Sequence, residues 1–170
     1  MEQFDDVLRA ATAEVAPEFI LLPIAGQAAA YRERVYCYEL YHQMRRIWPE
    51  GPYTLNGEVD KAGHRKLREL RADRCKPDLL VHIPGEMEGN FSVVEVKPCN
   101  APAKGLRKDI QTLRLFHREV GYRRAIYLIY GTRAEAAAIR VRRYLVEEPF
   151  PELELWVHHE PRSPAVRLDG

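Results

Sequence analysis

The sequence predicts an α/β domain with a mixed central sheet flanked by helices. Three observations carry that reading. Residues 76–83 and 91–98 are β-branched and aliphatic runs joined by Pro84-Gly85-Glu86-Met87-Glu88-Gly89-Asn90, a turn-forming connection of the kind that closes an antiparallel hairpin. Residues 122–130 form a nearly unbroken apolar run, as expected of a strand buried on both faces. Between the hairpin and that run, apolar residues recur at helical spacing, so a crossover helix should link parallel strands.

The remaining elements follow in order. At 170 residues the chain can fill one core and is too short for two ordinary domains. Residues 3–15 read as a helix stopped before Pro17, and 18–24 as an apolar edge strand or packed arm. A longer helix is expected over 27–48, with Tyr36, Leu40, Met44 and Ile47 as its apolar stripe and Pro49, Gly51 and Pro52 as its stop. Residues 53–61 read as the first strand of the sheet. After the hairpin, a helix over 104–120 buries Leu106, Ile110, Leu113 and Phe116 or His117. Its other faces carry Lys104, Arg107, Lys108, Asp109, Gln111 and Arg114. A helix over 133–147, a strand over 153–158 and a loose tail over 160–170 complete the chain.

The hairpin also concentrates chemistry. Side chains alternate along a strand, so Glu95 and Lys97 share one face while Val94 and Val96 take the other. If residue 83 pairs with residue 90, Asp78 stands opposite Glu95 on that same face. Two carboxylates so placed raise each other's pKa and destabilise the fold unless a cation sits between them. Mg²⁺, or Mn²⁺ in its place, is such a cation, held by one or two carboxylates together with water and phosphate oxygens. Lys97 could then orient or deprotonate the attacking water and stabilise charge on a phosphate. The expected chemistry is metal-assisted phosphodiester hydrolysis.

Pro77-Asp78, a spacer and Glu95-Val96-Lys97 together resemble the signature of the PD-(D/E)XK nuclease superfamily, over roughly residues 30 to 131. The resemblance implies a restriction-endonuclease-like αβββαβ core over 31–131, with an N-terminal arm over 1–30 and a C-terminal αβ extension over 132–170. It implies a Mg²⁺-dependent nuclease acting on DNA and leaving a 5′-phosphate and a 3′-hydroxyl. Asp78, Glu95 and the Val96 carbonyl would hold the ion, and Glu39 is the carboxylate to carry over from the preceding helix. Glu39 could instead pair with Arg32, Arg34 or a tyrosine hydroxyl, and Glu58 or Asp60 could supply that ligand. Lys104 and Lys108, one turn apart on the helix after the hairpin, are the candidates for phosphate contact, read otherwise as ordinary surface lysines.

Net charge is +1, too small to mark a stand-alone nucleic-acid binder. Such a nuclease must gather its basic residues locally or borrow a partner's. Residues 61–76 hold Lys61, Arg65, Lys66, Arg68, Arg71, Arg74 and Lys76 against Glu69 and Asp73, a phosphate-contacting stretch or a solvated helix face. Possible settings are a homodimer or the cleavage subunit of a defence or repair system. A different class also fits: a non-catalytic subunit that binds nucleic acid or protein on a nuclease-like scaffold. Cys37, Cys75 and Cys99 show no CxxC spacing and read as reduced thiols in a cytoplasmic protein. No apolar run approaches the ~20 residues that span a bilayer. His158 and His159 point to opposite faces of a strand and read as structural, as does His82 on the Asp78 face.

Overall fold

In a computed structural model, which describes residues 3–58, 69 and 75–168, the chain forms a six-stranded mixed sheet with helices on both faces. Helices α1 (Phe4–Ala13), α2 (Pro17–Ile20) and α3 (Glu33–Arg46) precede strands β1 (Thr54–Asn56), β2 (Leu79–His82) and β3 (Ser92–Pro98). Helix α4 (Ala103–Leu115) continues into a π turn over Phe116–Val120, followed by β4 (Arg124–Tyr130), α5 (Ala134–Glu147), β5 (Leu153–His158) and β6 (Val166–Leu168). Strand order in the sheet follows chain order. β1, β2 and β3 are antiparallel neighbours, β3, β4 and β5 run parallel, and β6 returns antiparallel to β5.

The period-two alternation of the strands divides the core into two layers. Val93, Ala125, Tyr127, Ile129, Leu155 and Val157 pack with Leu106, Ile110 and Leu113 of α4 and Ala137, Ala138 and Val141 of α5. Val94, Val96, Ile126, Leu128 and Trp156 pack instead with Phe4 and Leu8 of α1 and Tyr36, Leu40 and Met44 of α3. β4 contributes to both layers along its whole length, which accounts for its unbroken apolar run. The π turn ends at Gly121, whose φ of 89° turns the chain back toward β4 at little steric cost.

Four boundaries differ from the sequence reading. Residues 18–24 are not an edge strand: Pro17 starts the short helix α2, and Leu22 then makes an isolated bridge to Ala30. That bridge keeps residue 30 extended, so α3 begins at Glu33 rather than near Gln27. The first strand is three residues long, and Ile47 at the end of the expected stripe is exposed. The C-terminal segment is not a loose tail, because Val166–Leu168 forms β6. Asp60 and the basic residues from Lys61 to Arg74 lie outside the described residues. Among the described residues no helix is long and apolar enough to cross a membrane.

Candidate active site

Strand pairing assembles the site. β2 and β3 pair with Leu79 opposite Val94 and Leu80 opposite Val93, and one further step of that register sets Asp78 against Glu95. Regular pairing stops there, because Pro77 has no N–H to give to a ladder. Asp78 takes over that role through its side chain: its Oδ2 accepts the Val96 N–H at 2.7 Å. Val96 is thereby tied to Asp78 through its N–H.

The Asp78 and Glu95 carboxyls face each other across the pair, and burial together with the Asp78 charge favours a proton on the pair. Glu95 is the more deeply buried of the two. Burial, then the charges of Asp78 and Asp109, push its carboxyl well above the usual range against the pull of Lys97. Asp78 is pushed up to about 6, burial outweighing the Val96 hydrogen bond and the Lys97 charge.

Lys97 sits two residues beyond Glu95 on the same face and joins three elements. Its Nζ donates to Glu33 Oε1 at the start of α3, at 2.8 Å, and lies 3.5 Å from Asp109 Oδ2 on α4. Burial acts to lower its pKa, but the Glu33 hydrogen bond and the charges of Asp109 and Asp78 outweigh that and push it up. Asp109, 5% exposed, is pushed up to about 6, again by burial first. Two carboxyls thus pair with the ammonium, and those of Asp78 and Glu95 are near enough to feel its charge.

Glu33 and Asp109 are the site residues that the sequence reading misses. Asp109 was expected on a solvated face, yet it follows Leu106 by three positions and precedes Ile110. That spacing places it inside the buried stripe, and a carboxylate there is a legible signal. Glu33 was hidden by the early helix start. Once α3 starts at Glu33, that residue lies one turn before the buried Cys37.

Other candidates fall elsewhere. Glu39, six residues along α3 from Glu33, accepts a hydrogen bond from Gln43 Nε2 at 2.6 Å. Glu58 is exposed, 3.7 Å from Arg34, on the rim of a groove of about 460 Å³ that reaches Asp78. Lys104 and Lys108 are exposed on α4. His82 Nε2 lies 3.0 Å from Asn56 Oδ1, and buried His158 places Nδ1 2.6 Å from the Tyr36 hydroxyl. All three cysteines are free thiols, and burial raises the pKa of Cys37 beside Asp78.

The donor set fits a hard divalent cation in chemistry and in charge. Asp109 Oδ2 is buried and, at 3.5 Å from Lys97, lacks a well-formed hydrogen bond. Among the described residues, however, no group of three or more His, Cys, Asp or Glu side chains is already disposed to hold an ion. Comparison with known proteins gives no match: no family model, curated protein or solved structure matches the chain.

Proposed function

We propose that the chain is a Mg²⁺-dependent nuclease acting on DNA, with Asp78, Glu95 and Lys97 as its working groups. The observation that carries this reading is the charge imbalance at the end of the β2–β3 pair. Glu33 and Asp109 pair with the ammonium of Lys97, Asp78 and Glu95 lie within reach of its charge, and three of these four carboxyls have pKa values raised by burial. A fold that retains such a destabilised cluster beside an open groove has a use for it.

Asp78 and Glu95 would hold the divalent ion, losing their shared proton as it binds. Bound there, the ion would stabilise charge on a phosphoryl oxygen and make an attacking water more acidic. Lys97 is suited to act as a cation. Glu33 and Asp109 hold its ammonium charged and aimed, so it stabilises developing negative charge rather than serving as a base. Exposed Lys104 and Lys108 would guide the phosphate backbone. A cytoplasmic setting, and a second copy or partner that supplies further positive charge, belong to the same proposal.

Calorimetric titration with Mg²⁺ and Mn²⁺, paired with cleavage assays on plasmid and single-stranded DNA, tests it. Wild type should bind and cut, and Asp78→Ala/Glu95→Ala should do neither while staying folded. A second reading, a non-catalytic binding subunit, is favoured by the fact that Lys97 already pairs with two carboxylates. Folded wild type that neither binds metal nor cuts any nucleic acid would leave that reading standing.

A further inference from the structure

The groove that reaches Asp78 has a second wall whose chemistry is unlike that of the acid cluster. α3 contributes Arg34, Tyr38 and Tyr41, spaced so that all three lie on one helical face. The opposite side is Asn56 and Glu58, at and just beyond the end of β1, and Asp78 lies at the inner end. Tyr38 is 67% exposed although it is a large aromatic side chain. A phenol ring held on a rigid helix and left uncovered in a groove offers a π face to a ligand. The Tyr41 hydroxyl lies 3.5 Å from the Leu55 carbonyl, at the inner wall of the groove.

The polar groups around those rings complete a nucleotide-sized set. Arg34 is exposed and only loosely engaged by Glu58 at 3.7 Å, so its guanidinium can turn to a phosphate. The Asn56 side-chain oxygen lies 3.0 Å from His82 Nε2, which leaves the amide N–H groups as donors for a base edge. The volume of about 460 Å³ is sufficient for one nucleotide.

We propose that this groove takes one unpaired nucleotide of single-stranded nucleic acid, its base stacked on Tyr38 and its phosphate against Arg34. The inference rests on the nuclease reading for what happens next, since it delivers the adjoining phosphodiester to Asp78 and Glu95. A base inside a duplex has both faces covered by its neighbours and cannot meet Tyr38, so the groove selects single strands.

Fluorescence anisotropy with a labelled oligo-dT and with a duplex of equal length tests the proposal, using the full chain in EDTA and the Asp78→Ala/Glu95→Ala variant. Single strands should bind at least tenfold more tightly than duplex. Tyr38→Ala should weaken single-strand binding at least tenfold, the scale of one base–aromatic stack, and Tyr38→Phe should keep it. Circular dichroism should show both variants folded, because the ring is exposed. Equal binding of duplex, no binding of single strands, or an unchanged Tyr38→Ala would overturn the proposal. Single-strand binding through Tyr38 without cleavage in Mg²⁺ or Mn²⁺ would remove the nuclease reading and leave the groove. Cleavage by a Tyr38→Ala variant that binds single strands like wild type would remove the groove and leave the nuclease.

Discussion

Lys97 on β3 and Glu33 on α3 stand 64 residues apart in the chain, and their side chains meet at 2.8 Å. This contact joins the α3 layer to the end of the strand that carries Glu95. It also fixes which α3 carboxylate belongs to the cluster. Helical geometry sets Glu39, six residues on, about two-thirds of a turn away around the axis, where Gln43 engages it.

Glu33→Gln should keep the fold while weakening the hold on Lys97. A double-mutant cycle with Lys97→Met, read by urea denaturation, should return a coupling of about 1–2 kcal/mol, since Glu33 is partly exposed and Lys97 is mostly buried. Cleavage by Glu33→Gln should fall with KM little changed. A coupling near zero would mean that the pair is incidental.

The carboxyl cluster sets a pH dependence of definite sign. Asp78 and Asp109 are raised from 3.8 to about 6 in the folded chain, so the unfolded chain releases those protons first. Their contribution to stability is full below about pH 4 and is lost as pH rises through 6. Asp109→Asn should flatten that loss in a series of melting curves. Mg²⁺ should raise the Tm of wild type more at about pH 7 than at about pH 5, because it replaces the missing protons. A Mg²⁺ effect independent of pH would count against cation binding by this cluster.

His158 acts in the opposite direction. Burial lowers its pKa from 6.5 to about 4, so its contribution is full above about pH 6.5 and is lost as pH falls toward 4. The full effect is on the order of 3 kcal/mol by linkage. Comparing His158→Gln with wild type across that window isolates it from the carboxyls, and the variant should show the shallower acid limb. The imidazole resonances should titrate near pH 4 by NMR.

Thr12 and Ala165 tie the C-terminal segment to α1. The Thr12 hydroxyl donates to the Leu8 carbonyl and accepts the buried Ala165 N–H, each at 2.8 Å. Thr12→Val keeps the shape and strands that N–H, at a cost of about 1–3 kcal/mol. Amide exchange in residues 165–168 should accelerate before that of the central strands. Uniform acceleration would show that β6 unfolds only with the rest.

Much of this molecule was legible in local pattern. The continuous run over 122–130, the hairpin flanking residues 84–90 and the stripes of the two crossover helices arise from periodicity and turn chemistry, which neighbouring residues encode by themselves. The opposition of Asp78 and Glu95 was legible for the same reason: the turn sets the register, and a period of two does the rest.

Other features depended on distant partners. The start of α3 was decided by Leu22 bridging Ala30, and β6 by the edge of β5 and the Thr12 hydroxyl, contacts that no local window contains. Asp109 carried a local sign, its place within an apolar stripe, but its role required Lys97 to arrive from β3. Sequence alone therefore determined the alternation of strands and helices and the opposition of Asp78 and Glu95 at the end of the hairpin. Only the tertiary structure decided that Glu33 and Asp109 would join them, because a buried ammonium selects its partners by distance through space rather than along the chain.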